Sequence, residues 1–310
     1  LVDSYTIGDL IKKGVEILEA GEYNNPLLES QLLLCHVHNV DKIYTYTHKD
    51  RLVDSQSVDK FLKLINKRKS GYPIQYILGK QEFMGLDFHV REGVLIPRPD
   101  TEILVEYIID LVKGEYFNEK ESIKIIDIGT GSGAITLSLA HYLENAHVYS
   151  IDISPTALEV ARENAKRLGL ESRVTFIEGD VLSPLEGLNL YNSIDIIVSN
   201  PPYIPTKDIQ ELQREVAEHE PKMALDGGED GLDFYRRIVR EGVKYLTDGG
   251  VLAFEIGYDQ GKAVKELMLR DRGTGTMSHH NPFKDIKIIK DLAGHDRVVI
   301  GRVGRGDGEL

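Results

Sequence analysis

Up to roughly residue 75, apolar residues recur every three or four positions, the spacing that lines one face of a helix. Ile7, Leu10, Ile11, Val15, Ile17 and Leu18 predict a first helix, and Leu27, Leu28, Leu32, Leu33 and Leu34 a second, over 26–39. Phe61, Leu62, Leu64 and Ile65 predict a third, over 58–69. From about residue 120 short apolar runs alternate with helical periods, the mark of a parallel, doubly wound sheet. Strands are expected at 123–128, 147–151, 174–177, 194–199 and 251–256, and helices at 133–143, 155–168, 232–246 and 259–269. Two closing runs, 286–289 and 297–300, flank a turn at Gly294 with no helix between them. One of the two must therefore run antiparallel to its neighbour. Between the two regions, residues 83–90 alternate around Gly85 as a short hairpin, and Ile96-Pro97-Arg98-Pro99 stops extended structure. Asp100 or Thr101 is then placed to cap a helix through Leu104, Ile108, Ile109 and Val112. The expected division is a helical domain over 1–80, a linking hairpin over 81–97 and an α/β domain over 98–310.

Composition adds exclusions. A net charge of −13 suits a soluble globular chain and speaks against bulk nucleic-acid binding, which depends on Lys and Arg neutralising phosphates. One cysteine, Cys35, permits no internal disulfide and is compatible with a reducing cytoplasm. No apolar run reaches the roughly 18 residues of a membrane span. The start, Leu1-Val2-Asp3-Ser4-Tyr5, lacks the layout of a signal peptide, and the missing initiator Met points to a trimmed beginning. Lys63, Lys67, Arg68 and Lys69 read as a solvated helix end. Cys35-His36-Val37-His38 cannot chelate a metal as a set, because adjacent helical positions do not share a face. His279-His280 reads as exposed loop, and the tail from Gly301 to Asp307 as frayed.

The chemistry concentrates at strand ends. Asp127-Ile128-Gly129-Thr130-Gly131-Ser132-Gly133-Ala134 joins the first sheet strand to a helix, where glycines let the backbone turn tightly and approach a ligand. Asp152 ends the next strand, where a carboxylate can accept from both hydroxyls of an adenosine ribose. Gly129, Gly131 and Ala134 also satisfy the dinucleotide fingerprint. Three features favour S-adenosylmethionine instead. The extra Gly133 removes a side chain where a methionine moiety would lie, Asp127 is placed to meet a cationic ligand, and the closing hairpin belongs to the methyltransferase variant of the fold. Asp180, in Gly179-Asp180-Val181, is a candidate acceptor for an adenine amino group, with Val181 covering the ring.

Asn200-Pro201-Pro202-Tyr203 follows an apolar strand. Neither proline can donate to the ladder, so the chain leaves the sheet in a stiff conformation. The turn offers an amide oxygen on Asn200, the Pro201 carbonyl and the Tyr203 ring. Two acceptors can hold both N–H bonds of a conjugated NH2 while the ring stacks on its plane. Positioning of this kind supplies up to about 7–11 kcal/mol in well-oriented cases, and no strong general base is needed. An amide and an exocyclic base amine meet these demands equally.

Further segments carry a resemblance. Gly71-Tyr72-Pro73-Ile74-Gln75-Tyr76-Ile77-Leu78-Gly79, the run from Val94 to Glu102 around Pro97-Arg98-Pro99, and the run from Glu220 to Leu232 around Asp226-Gly227-Gly228 are similar to segments of the bacterial release factor glutamine methyltransferases, the PrmC/HemK family, in that family's order. The resemblance implies a seven-stranded Rossmann-like class I methyltransferase sheet behind a helical domain that contacts the substrate protein. It implies methylation of the glutamine side-chain amide in the Gly-Gly-Gln motif of class 1 peptide chain release factors. Gly129, Thr130, Gly131, Ser132 and Gly133 would then hold the methionine end of S-adenosylmethionine, which leaves as S-adenosylhomocysteine. Asp152 would hold its ribose, and Asn200, Pro201, Pro202 and Tyr203 the glutamine amide. A cytoplasmic monomer without metal is expected, and the alternative is a nucleic-acid amino-methyltransferase. Tyr72 and Val181 depart from the family's pattern, which has Glu at the first place and, in some members, tryptophan at the second.

Overall fold

Thr6 and Asp9 cap the first helix reciprocally, each side chain taking the other's backbone N–H, which fixes the chain's entry into α1 (Ile7–Leu18). The computed structural model describes residues 4–19, 25–114, 117, 120–270 and 282–304, so the expectations for 279–280 and 305–307 lie outside the described residues, while Gly301, Arg302 and Val303, expected to fray, are paired in the last strand. In α2 (Pro26–His38), Asn25 caps the start and Pro26 takes the first turn, where its missing N–H costs nothing. Three further helices follow: α3 (Lys42–Thr47), α4 (Ser55–Lys69) and α5 (Ile74–Leu78). Leu10, Leu18, Leu33, Leu34, Phe61 and Ile65 are fully buried and form their core.

By its contacts the chain divides into two units, Leu1–Lys80 with Gln213–His219, and Gln81–Leu212 with Glu220–Leu310. The return of Gln213–His219 to the helical unit corrects one expectation about its basic end. Arg68 is not a solvated residue: it is 4% exposed, its guanidinium donating to Glu29 at 2.8 Å and to Glu215 at 2.6 Å. Lys67 lies over the Tyr72 ring, 3.5 Å from its centroid.

In the second unit, a two-stranded hairpin, β1 (Lys80–Phe83) and β2 (Leu86–His89), turns at Met84 and Gly85, both with positive φ. The helix α6 (Pro99–Lys113) begins before both expected caps, so Asp100 and Thr101 lie inside its first turn. Pro99 occupies its first turn and no side chain caps it. Thr101 and Asp100 are engaged elsewhere, Asp100 with Arg297 at 3.0 Å. Then come β3 (Ile123–Ile128), α7 (Ala134–Tyr142), β4 (Ala146–Asp152), α8 (Pro155–Leu168), β5 (Val174–Glu178) and β6 (Ile194–Ser199). After α9 (Arg214–His219), the chain completes the sheet with α10 (Asp233–Gly242), β7 (Leu246–Glu255), α11 (Gly261–Arg270), β8 (Phe283–Lys290) and β9 (Asp296–Val303).

The seven strands are ordered β5-β4-β3-β6-β7-β9-β8, and β9 is antiparallel to both neighbours. The expected seven-stranded methyltransferase sheet is therefore present. Alternation along the central strands splits the core into two layers. Ile125, Ile196 and Val198 face one side with Leu104 and Leu137, and Ile126, Ile197 and Leu252 face the other with Tyr235 and Ile238. From β3 the chain moves outward to β4 and β5, then returns to place β6 on the other side of β3. That reversal opens a crevice at the strands' C-terminal ends, where ligands bind in such sheets. Ile128 pairs in register with Ser199 across it. No helix among the described residues is long and apolar enough to cross a membrane.

Candidate active site

The glycine turn is anchored to the strand beside it. The N–H groups of Gly129 and Thr130 both donate to the Ile151 carbonyl, at 2.8 and 3.1 Å. The Gly131 N–H donates to Asp152 Oδ2 at 2.9 Å, and the Ser154 N–H to Asp152 Oδ1 at 2.8 Å. Burial raises the Asp152 carboxyl above its usual range, against the pull of these N–H groups. A carboxylate has about four lone-pair sites, so Asp152 keeps acceptor capacity beyond the backbone N–H groups that hold it.

One cavity gathers most of the residues expected to act. Gly129, Thr130, Gly131, Ser132, Asp152, Asp180, Val181, Asn200, Pro201 and Pro202 all line it. Asp127, Gly133 and Tyr203 are not among the lining residues. Asp127 is fully buried beneath the turn, taking the Thr136 hydroxyl at 2.5 Å. Thr136 continues to Ser150 at 2.6 Å and Ser150 to Thr130 at 2.8 Å, so a file of hydroxyls runs from the buried carboxyl to the cavity wall. Asp127 Oδ1 has no hydrogen-bond partner among the described residues, and burial pushes the carboxyl up to about 7. Gly133 has φ +85, and a Cβ there would lie 3.1 Å from Leu137 and 3.2 Å from Ala161. Its missing side chain thus admits helix α8 against α7 and makes no room for a ligand.

Asp180 is half exposed and takes Arg237 at 2.6 Å, so any adenine contact shares the carboxylate with that guanidinium. Val181 is buried with φ +54, a conformation that β-branched residues rarely adopt.

The Asn200 turn is held from three sides. Ser199 donates its hydroxyl to the Ile128 carbonyl at 2.7 Å, joining it to β3. Gln260 donates to the Tyr203 carbonyl at 2.9 Å. Ile204 exchanges backbone bonds with the next loop, its N–H reaching Leu225 at 3.0 Å and its carbonyl accepting from Gly227 at 2.9 Å. A Cβ on Gly231 would lie 2.3 Å from the Tyr203 carbonyl, with φ +74. That loop therefore backs the turn through bare backbone. Tyr203 itself packs against the core layer of Tyr235 and Phe254, and burial, with Glu255 nearby, raises its phenol above the ordinary value.

Sequence reasoning missed two residues here. Asn200 Nδ2 donates to Thr101 Oγ1 at 3.2 Å, and Glu255 is a buried carboxyl whose pKa burial raises and Thr101 draws back down. Glu255 is 3% exposed at the end of β7, and an acidic residue inside the apolar run 251–256 was the signal available to find it. Arg98 and Thr101, at the start of α6, also line the cavity. Among the described residues no group of three or more His, Cys, Asp and Glu could hold a metal ion.

Comparison with known proteins places this geometry. Residues 9–79 match the model of the PrmC N-terminal domain, and residues 119–260 that of a methyltransferase domain. The chain is 44% identical to a release factor glutamine methyltransferase of Moorella thermoacetica, over 94% of this chain and 96% of that protein. It is 42% identical to one of Clostridium acetobutylicum, over 95% and 97%. Among solved structures, the human methyltransferase 10 domain containing protein shares the fold, with a TM-score of 0.50 at 18% identity over 70% of this chain and 88% of that one.

Proposed function

The chain belongs to the release factor glutamine methyltransferase family, and from that premise we propose that it methylates N5, the side-chain amide nitrogen, of the glutamine in the Gly-Gly-Gln motif of class 1 peptide chain release factors. The methyl donor is S-adenosylmethionine, and S-adenosylhomocysteine is the second product. With a release factor as substrate, the reaction belongs to the cytoplasm. The helical domain over 1–80 recognises the release factor, the hairpin over 81–97 links, and 98–310 carries the chemistry in a monomer.

The residues present fit the donor. Asp152 lines the cavity and can accept from ribose hydroxyls. A Cβ on Gly131 would meet no atom within 4 Å, so the turn leaves open space where a ligand can lie against backbone. When bound, S-adenosylmethionine supplies an electrophilic methyl group on a positively charged sulfur. The protein's own part is placement. Asn200 Oδ1 and the Pro201 carbonyl accept the two N–H bonds of the acceptor amide, which turns its lone pair out of conjugation and towards the donor. Pro202 and Tyr203 keep that backbone rigid. The proton is lost to solvent after the nitrogen becomes acidic, so no buried base is required.

One observation carries this reading: the cofactor-type turn and the Asn200 turn leave neighbouring parallel strands at paired residues, Ile128 and Ser199. The test is incubation with methyl-labelled cofactor and purified release factor, with DNA and RNA in parallel, and location of the label by mass spectrometry. Label on the glutamine is expected. Label on a base amine and none on glutamine would replace this reading with the nucleic-acid one.

A further inference from the structure

We infer that Asn164, on α8, is a positioning residue that clamps together two walls of the cofactor cavity, the glycine turn and the segment that follows the hairpin. The inference rests on the S-adenosylmethionine reading above and adds to it a residue that is not among those lining the cavity. One wall includes Gly129 to Ser132, and another Gly93, Val94, Leu95 and Pro97.

Asn164 is fully buried. A side-chain amide has two N–H bonds to give and an oxygen to accept with. Asn164 Nδ2 donates to the Ser132 carbonyl at 2.9 Å and to the His89 carbonyl at 3.0 Å. Its Oδ1 accepts the His89 N–H at 2.7 Å. Three backbone groups fix which end of the amide is which: turned over, it would set N–H against N–H and oxygen against two carbonyls. With His89 the amide makes both bonds that a partner residue on a neighbouring strand would make, and so it fastens the end of β2 to the helix.

At the glycine turn the bond has a specific effect. The Ser132 carbonyl and the Gly133 N–H share one peptide plane. The N–H donates to the Thr130 carbonyl at 2.8 Å, and Asn164 holds the carbonyl, so both edges of the plane are fixed just before Gly133 takes its φ of +85. At the other wall, α8 holds the chain around and beyond His89. The His89 ring lies 3.8 Å from Glu163, Arg91 reaches Glu159 at 2.5 Å, and a Cβ on Gly93 would lie 2.9 Å from the Thr156 methyl. Thr156, Glu159 and Glu163 recur at the spacing of one helix face, and Asn164 extends that face to the turn. Because one amide serves both walls, order at either is felt at the other. A ligand that steadies the glycine turn also steadies the His89 pairing, and coupling of this kind is reciprocal.

The experiment compares the parent with Asn164→Leu, which keeps the shape and loses all three bonds, and with Asn164→Asp, which keeps an acceptor for the His89 N–H and sets oxygen against the two carbonyls. Arg91→Ala is the control, cutting an exposed link of the same segment to α8. Affinity for S-adenosylhomocysteine is measured by calorimetry, together with kcat and the KM for S-adenosylmethionine on release factor. Exchange of the His89 amide proton is followed by NMR with and without S-adenosylhomocysteine. Both Asn164 variants are expected to bind about tenfold or more weakly, with kcat at saturating cofactor within about threefold of the parent. Arg91→Ala should bind within about twofold of the parent. In the parent the ligand should slow His89 exchange about fivefold or more. Parent-level affinity in folded Asn164→Leu would overturn the inference. So would His89 exchange in the parent that ignores the ligand, a result that needs no variant and decides the question even where both substitutions prevent folding. A parent that binds no S-adenosylhomocysteine would remove the cofactor reading and the clamp's role with it. A parent that binds it but leaves release factor unlabelled would remove the substrate reading alone, while calorimetry and exchange still decide the clamp.

Discussion

Arg98 donates to the carboxylate of Glu220 at 2.5 Å, and the same carboxylate lies 3.4 Å from the Ile96 N–H. The side chain of Glu220 is 1% exposed. The pair joins the Ile96-Pro97-Arg98-Pro99 segment to the one that begins at Glu220, across 122 residues of chain. Two stretches that read in the sequence as separate landmarks thus form one wall of the cavity, which Arg98 and Pro221 both line.

Removing the cation strands a buried charge. Arg98→Ala should cost on the order of 2 kcal/mol, at the low side for a buried pair because the guanidinium is partly exposed. Chemical denaturation measures it. Glu220→Gln in the same background should return part of the loss, since a neutral amide has less need of the arginine.

The glycine turn separates ligand contact from packing. Gly131→Ala adds a methyl to open space, so backbone strain of about 1–2 kcal/mol is its main folding cost. Cofactor affinity should fall sharply, read by calorimetry. Gly133→Ala presses a methyl on Leu137 and Ala161, and should lose more stability than Gly131→Ala, as seen in the shift of Tm.

The Gly231 position tests the backing of the acceptor turn. Its Cβ would collide with the Tyr203 carbonyl, and the turn must move to admit it. Gly231→Ala should lower kcat roughly tenfold or more while cofactor affinity stays near the parent value, because a small displacement of the acceptor site is costly. Equal kcat would show that the loop does not brace the turn.

The buried Asp127 makes stability depend on pH. Its folded-state carboxyl sits at about 7, above the ordinary 3.8, so the native protein holds this proton where the unfolded chain has released it. Stability from this group is greatest below the ordinary value and falls as pH rises towards 7, by up to about 1.4 kcal/mol per pH unit. Glu255 adds to the slope in the same sense, between its ordinary 4.5 and about 7. Asp127→Asn keeps an acceptor for Thr136 and titrates no longer. Urea denaturation from pH 5 to 7 should show a shallower fall for the variant, and identical slopes would place the Asp127 carboxyl at its ordinary value.

Much of the fold was legible because strand and helix periods differ. The run from Ile194 to Ser199 is apolar except at Asp195 and Ser199 and buried at every position, as a strand covered on both faces must be, and the helix at 155–168 matched α8 from end to end. The start of α6 was misread because Asp100 and Thr101 are good caps in isolation, and only the folded chain reveals that Asn200 and Arg297 claim them. Arg68 was misread for a similar reason: Glu215, one of its partners, lies 147 residues away. The cavity's polar residues could be named from turns and strand ends. The hydrogen bond from Asn200 to Thr101 could not, since no local pattern links a turn after β6 to a residue on α6.

The pairing of Ile128 with Ser199 has a consequence for how such enzymes diversify. Neighbouring strands lie about 4.8 Å apart, so the step between the glycine turn and the Asn200 turn is a property of the sheet and works as a built-in gauge. A lineage can exchange its client by altering the walls around the crevice while the gauge stays calibrated.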